Sequence, residues 1–290
     1  MCGICGFFTT RERATDTLLR TMNDRIARRG PDGEGQFCAD GVGIAMRRLA
    51  IIDLEGGRQP IFNETGRIAI VFNGEIYNYR ELRADLIAKG HVFGTASDTE
   101  VIVHLYEEYG LDAPKYLNGM FAFAIFDRDR DRLVLARDRL GIKPLFYAAL
   151  PQGFFFGSEI KSLLATNLVP DDLDFQALDE YLTYTNVPCP RTIYSAVRQV
   201  PPATVMTVSR GGELESTPYW SAPDPIEEEI DEARAIVETE AVLRAAVESH
   251  MVSDVPIGAF LSGGVDSGLM VALMADILGR PIETFTVGFR

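Results

Sequence analysis

The sequence predicts an α+β protein in which antiparallel sheets pack with helices, followed by the opening of a parallel α/β unit. Three observations lead there. Apolar runs rich in Ile, Val and Phe recur as pairs with short charged or Gly-containing turns between them, which is the pattern of β-hairpins. Segments with helical spacing separate those pairs. After Trp220 the composition turns acidic and Pro-containing, and beyond that stretch a single strand–helix–strand pattern runs to the end of the chain.

GICGFFT (3–9) reads as the first strand. A helix follows over 15–28, with Leu18, Leu19, Met22 and Ile26 at helical spacing. RRGPDGEG (28–35) is a loop, and strands are expected near 35–38 and 42–48. The β-branched run IAIVF (68–72) is a strand that NGE closes, and a helix covers 79–89. Another helix starts at Ser97, where Ser-Asp-Thr-Glu has the spacing of a capping box between Ser97 and Glu100. FAFAIFD (121–127) and RLVLARD (132–138) form one hairpin, and FYAAL and FFFGSE form a second. The stretch SAPDPIEEEIDEA is a linker running into a helix over 226–250. VPIGAFLSGG then reads as a buried strand, followed by a helix over 266–278 and a strand at ETFTVGF (283–289). The expected domains are 1–215, an acidic linker 216–237, and 238–290. A parallel sheet needs several strands with both faces covered. Residues 238–290 offer two, so the chain is expected to be part of a longer protein.

Composition narrows the function. The chain has 290 residues, 47% of them apolar, enough for two cores. Lys+Arg number 28 against 42 Asp+Glu, a net charge of −14. That balance argues against nucleic-acid or anionic-membrane partners, which demand clustered cations. No run approaches the ~18 apolar residues of a membrane span, and the N-terminus lacks the basic opening of a signal peptide. Four cysteines do not make a disulfide scaffold, so a reducing, cytoplasmic setting is expected. A homodimer is compatible with these features.

Cys2 follows the initiator Met, and its own side chain is small enough for Met1 to be removed. The mature chain would then carry a thiol and an α-amine on one residue. Their reference pKa values lie close together, so the amine can take the thiol proton. Cys2 and Cys5 also form C-x-x-C, but in a strand they face opposite sides, and Cys38 and Cys189 are solitary. His91, His104 and His250 are far apart in sequence, which argues against a histidine-based metal site.

Further segments complement a thiolate attacking an amide. Asn73 and Gly74 offer a side-chain amide and a backbone N–H for an oxyanion. Arg48 could pair with a carboxylate, and Glu75 and Asp98 with an ammonium. Each has a plainer reading: Asn-Gly as a turn, Ser97 and Asp98 as a helix cap, Arg48 as a solvated cation.

MCGICGFF, RRGPDG, RLAIID, FNGEIYNY, SDTEV, GMFAFAIFD and ARDRLGIKPLFY occur together in an order and spacing that resembles the class II glutamine amidotransferase domain over residues 1–215. The resemblance implies an N-terminal-nucleophile αββα sandwich of antiparallel sheets. It implies Cys2 as nucleophile with its own amine as base, and Asn73 and Gly74 as the oxyanion hole. Glutamine would be held by Arg48, Leu49, Ala50, Ile51, Ile52, Asn73, Gly74, Glu75 and Asp98. Cys5 is given no role.

FLSGGVDSG (260–268) joins a strand to a helix, where glycines and a helix N-terminus suit an anion. SGGVDS is similar to the pyrophosphate loop of enzymes that adenylate a carboxylate. That resemblance implies ATP contacts from Leu261, Ser262, Gly263, Gly264, Asp266, Ser267 and Val287, with Mg²⁺ on Asp266. The two halves together resemble the glutamine-dependent asparagine synthetase family, which implies glutamine, ATP and aspartate as substrates. A relative that amidates a different carboxylate remains open at this point. Residues 1–290 alone are expected to hydrolyse glutamine and to form little or no asparagine.

Overall fold

A computed structural model of the chain describes residues 1–9, 15–225 and 230–288. It divides into two units, Met1–Ser221 and Ala222–Arg290.

The first unit opens with β1 (Gly3–Thr9), buried along its whole length. The helix α1 (Asp16–Arg25) starts where Thr15 Oγ1 accepts from the Leu18 N–H, and a 3₁₀ turn over Ala27–Arg29 ends it earlier than its spacing predicts. The strands β2 (Gly33–Ala39) and β3 (Val42–Arg48) form a hairpin. Next come β4 (Ile61–Phe62), β5 (Ile68–Ile76), α2 (Tyr79–Ala88) and α3 (Asp98–Tyr109). The two predicted hairpins are β6 (Gly119–Asp127) with β7 (Arg132–Arg137), and β8 (Phe146–Leu150) with β9 (Gly153–Gly157). The unit closes with α4 (Ile160–Leu164), α5 (Phe175–Tyr184), β10 (Arg198–Gln199), β11 (Thr204–Ser209) and β12 (Leu214–Pro218).

These strands make two six-stranded antiparallel sheets, ordered β10-β8-β9-β1-β3-β2 and β12-β11-β7-β6-β5-β4. Alternation sends Ile4 and Phe8 to one face of β1 and Cys5 and Phe7 to the other. The first pair meets Val71, Phe126, Leu135 and Met206 from the second sheet, so one apolar layer is pressed between the sheets. Cys5 and Phe7 meet Leu19, Met22 and Leu163 from α1 and α4. On the far side, α3 packs on β5. The layers are helix, sheet, sheet, helix. Cys2 packs against the intersheet layer and Cys5 does not, so the C-x-x-C pair is split between faces.

Three expectations for the first unit need correction. The NGE segment does not close β5 but lies inside it, with Asn73 opposite Ala122 and Gly74 opposite Phe121. Glycine is required there because a Cβ on residue 74 would lie 2.2 Å from the Met120 carbonyl. The Ser97–Glu100 spacing does not make a reciprocal box. Ser97 Oγ accepts from the Thr99 N–H at 3.2 Å, while the Glu100 carboxylate accepts from the Gly94 and Thr95 N–H groups. Finally, the α2–α3 connection folds His91 onto α3 beside His104, with ring centroids 4.9 Å apart. Distance in sequence was a poor guide for that pair.

The second unit contains α6 (Glu232–His250), β13 (Gly258–Phe260), α7 (Val265–Leu278) and β14 (Glu283–Phe285). The part of the predicted helix at 226–229, and residue 289 of the last strand, lie outside the described residues. The pair β13–β14 is parallel, as a strand–helix–strand crossover requires. The expected buried strand is exposed instead: Phe260 is 81% accessible, because β14 alone flanks it among the described residues. No described helix is long and apolar enough to cross a membrane.

The intersheet layer should dominate the stability of the first unit. Phe156 is fully buried within it. Phe156→Ala is expected to cost about 3–5 kcal/mol of unfolding free energy, read from the urea midpoint of that unit's transition.

Candidate active site

Cys2 stands one residue before β1, and β1 pairs with β3 so that Gly3 faces Arg47. The end of β3 therefore runs past the thiol. The Leu49 N–H donates to Cys2 Sγ at 3.3 Å, and Sγ lies 3.5 Å from the Leu49 carbonyl. Arg29 Nε donates to the Cys2 carbonyl at 2.7 Å and its guanidinium pairs with Glu159 at 3.3 Å, so the residue is held from behind. Gly30 fits this approach because a Cβ there would lie 2.3 Å from the Arg47 backbone. Asp32 then accepts from the Ala50 N–H at 3.0 Å. The RRGPDG loop thus braces the strand end beside the thiol.

A small cleft opens there, lined by Cys2, Arg48, Leu49, Ile51, Ile52, Gln59, Phe72, Gly74, Glu75, Ser97, Asp98 and Thr99. Most of the residues expected to hold glutamine are in this lining. Ala50 is not, since it turns to Asp32. Asn73 is not in the lining either, and it is 1% exposed.

Strand geometry explains what Asn73 and Gly74 present. Ala69 and Val71 point into the intersheet layer, so Asn73 points to that side too, the side on which Cys2 packs. Neither polar atom of its side chain has a hydrogen-bond partner. Buried amides are rarely left so, and both atoms keep unused hydrogen-bonding capacity. The N–H groups alternate between the two edges of β5. Phe72 N–H donates to Gln59 Oε1 at 2.7 Å and Ile76 N–H to Asp98 Oδ2 at 3.0 Å, both on the edge away from β6. Gly74 lies between them, so its N–H points along the same edge.

Arg48 is wrapped by its own chain. Its guanidinium donates to the carbonyls of Ile52 at 2.8 Å, Asp53 at 2.7 Å and Leu54 at 3.0 Å. Three of five N–H groups are used, and the turn they shape carries Ile51 and Ile52 into the cleft.

The charges are perturbed in a consistent direction. Burial pushes the Cys2 thiol up, only partly offset by the Leu49 hydrogen bond and the nearby N-terminal amine. The thiol is therefore protonated near neutrality and needs a base. In this chain the Cys2 nitrogen is in the peptide bond to Met1. Asp98 is raised to about 6, mainly by burial and further by the Glu75 charge, against the hydrogen bonds from Ile76, Ser97 and Thr99. Lys143, 6% exposed, is lowered by burial although Glu75 and Cys2 favour its charge. Lys143, Gln59, Arg29 and Asp32 escaped the sequence reading. Only the GIKPLFY and RRGPDG motifs hinted at them.

The predicted nucleotide residues lie in the second unit. The loop joins the end of β13 to the N-terminus of α7, with Gly263 at φ +81° and Gly264 as the cap. The Ser262 and Ser267 hydroxyls lie 3.0 Å apart, and Asp266 stands in the first turn of α7. Leu261 N–H donates to the Phe285 carbonyl, and Val287 is exposed just beyond β14.

The glutamine amidotransferase domain family matches residues 1–220. The chain belongs to that family. Residues 238–290 match the asparagine synthase family. Asparagine synthetase [glutamine-hydrolyzing] 1 of Bacillus subtilis is 41% identical over 295 residues, spanning all of this chain and 46% of the relative. Asparagine synthetase [glutamine-hydrolyzing] 3 of the same organism is 36% identical over all of this chain and 48% of the relative. The chain thus spans about half the length of the curated relatives it matches. Among solved structures, glutamine phosphoribosylpyrophosphate amidotransferase from B. subtilis aligns with a TM-score of 0.58 at 16% identity, over 98% of this chain and 65% of that one. That likeness concerns the fold, the sandwich of two antiparallel sheets between helices.

Asp98 gives a stability test. Its carboxyl titrates near 6 when folded, above the ~3.9 of an unfolded Asp, so its contribution is present below the unfolded value and is lost as pH rises through 6. At neutral pH the buried charge costs up to about 3 kcal/mol, from 1.36 kcal/mol per pH unit. Asp98→Asn should therefore raise the thermal midpoint at pH 7.5, with the advantage vanishing by about pH 4 in a pH series of melts.

Proposed function

We propose that the first unit hydrolyses the side-chain amide of glutamine at Cys2. We further propose that the whole protein passes the ammonia to an ATP-dependent synthetase domain making asparagine, of which residues 238–290 are a part. The observation that carries this reading is the convergence in one cleft of a thiol, a guanidinium and two carboxylates beside an unpartnered buried amide. An α-amino acid with an electrophilic side chain needs that set: a cation for its carboxylate, anions for its ammonium, a nucleophile and oxyanion donors at the far end.

In the proposed reaction, removal of Met1 frees the Cys2 amine. The amine takes the thiol proton, and sulfur attacks the amide carbon. The carbonyl oxygen becomes an oxyanion that Asn73 Nδ2 and the Gly74 N–H stabilise. As the C–N bond breaks, the leaving nitrogen receives the proton held by the amine and departs as ammonia. Water then opens the γ-glutamyl thioester, giving glutamate and the restored thiol. Arg48, with N–H groups to spare, holds the substrate carboxylate. Glu75 and Asp98 hold its ammonium, and Leu49, Ile51 and Ile52 border the aliphatic part. A thiol nucleophile suits a reducing, cytoplasmic compartment.

In the second unit, the Ser262–Ser267 loop at the N-terminus of α7 suits an ATP pyrophosphate, through backbone N–H groups and hydroxyls. Oxygen donors are what Mg²⁺ takes, and the Asp266 carboxylate would hold it there. When bound, the ion would neutralise phosphate charge. Aspartate is the proposed acceptor.

Glutamate release by residues 1–290 tests the reading, with intact mass reporting loss of Met1. Cys2→Ala should reduce the rate to background. Asn73→Ala should lower kcat by about 10²–10³-fold, the usual effect of losing one oxyanion donor. Undiminished hydrolysis by Cys2→Ala would refute the proposal. The KM for glutamine should rise as pH falls through about 6, where Asp98 gains its proton.

A further inference from the structure

We propose that Glu64, His91, His104 and Glu107 bind one divalent first-row transition cation of the zinc class. The site lies on the helical face of the second sheet, and its residues do not line the cleft of Cys2. Glu64 comes from the β4–β5 turn, His91 from the α2–α3 connection, and His104 and Glu107 from successive turns of α3.

One donor atom from each residue lies within 4.8 Å of all the others. His104 Nδ1 is 2.9 Å from Glu107 Oε2 and 3.7 Å from Glu64 Oε2. His91 Nδ1 is 3.7 Å from Glu64 Oε1 and 3.6 Å from Glu107 Oε2. Bonds of 2.0–2.2 Å in a tetrahedron set neighbouring donors about 3.3–3.6 Å apart, and the observed spacings bracket that. Two imidazoles and two carboxylates, without thiolate, form a donor set suited to zinc and its neighbours.

The surroundings fit a ligand sphere. The far nitrogen of each imidazole faces a carboxylate: His91 Nε2 lies 3.1 Å from Glu108 and His104 Nε2 lies 3.7 Å from Glu100. Metal-bound histidines characteristically carry such partners, which fix the ring. The second oxygen of Glu107 accepts from Asn63 Nδ2 at 2.7 Å, and Glu64 Oε1 accepts from the Val92 N–H at 2.8 Å. Phe93 covers the fully buried His104 ring at 4.4 Å.

Charge points the same way. Four carboxylates gather on two histidines, with Lys89 on Glu108 as an additional cation. Even with both imidazoles protonated, the group carries an excess of one negative charge. With both imidazoles neutral the excess is three negative charges, and a dication lowers it to one. The ion would staple the β4–β5 turn and the loop before Ser97 onto the helix that begins at Asp98.

The test uses chelator-treated 1–290 chain carrying Cys2→Ala, so that the thiol cannot bind metal. Zn²⁺ is titrated by calorimetry and Co²⁺ by visible absorption. The expected result is one equivalent of each ion, with the intense d–d bands of four-coordinate cobalt and a higher melting temperature. His91→Ala should abolish this binding. Glu108→Gln, altering an exposed outer partner, should weaken it about 10–100-fold while leaving the far-UV spectrum unchanged. No saturable binding, the weak bands of six-coordinate cobalt, or equal affinity in His91→Ala would each overturn the assignment.

Discussion

The two sheets of the first unit are pressed together over side chains of β1, β3, β5, β6, β7, β9 and β11, and burial of that apolar layer sets the register of every strand it includes. Along β5 and β6 the pairing runs without interruption from Ile68 opposite Asp127 to Ile76 opposite Gly119. Ala69 and Val71 must point inward, so Asn73 must as well. A slip of one residue would send Asn73 to the helical side and turn the Gly74 N–H toward β6. The same layer anchors Ile4 and Phe8, and with them the position of Cys2. Packing energy spread over the whole sandwich thus aims a few polar atoms at one end of it.

Much of this was legible in the sequence because it is local. Hairpins such as 121–137 and 146–157 declare themselves by two apolar runs and a short turn. The thiol, the Asn-Gly pair and Asp98 were legible through motif order. What stayed hidden depends on long-range approach. A two-residue strand like β4 carries no periodicity. Asn-Gly is a strong turn signal, and only the close passage of the Met120 carbonyl explains why it sits mid-strand. Glu100 has capping-box spacing, yet the loop before Ser97 offers it better donors. Gln59 reaches Phe72 and Thr99 across the fold, and nothing in its own segment announces that. His91 and His104 are brought together by a loop whose course no local pattern encodes.

The proposed chemistry also accounts for an otherwise costly electrostatic arrangement. Burial holds both the Cys2 thiol and the Asp98 carboxyl toward their neutral forms, and it lowers Lys143 as well. A solvated surface site would avoid all three penalties. A site meant for a zwitterion would not, because the ligand supplies the missing counter-charges. An ammonium entering beside Glu75 and Asp98 favours the ionised carboxylate, and a carboxylate entering beside Arg48 uses the guanidinium's remaining N–H groups. Glutamine also offers an oxygen that becomes an anion during the reaction, and Asn73 is buried without a partner on the side where Cys2 packs. The low-dielectric surroundings that destabilise the empty site then strengthen each contact made to the substrate. On this account, the stability given up at Asp98 and Asn73 reappears as binding and transition-state stabilisation.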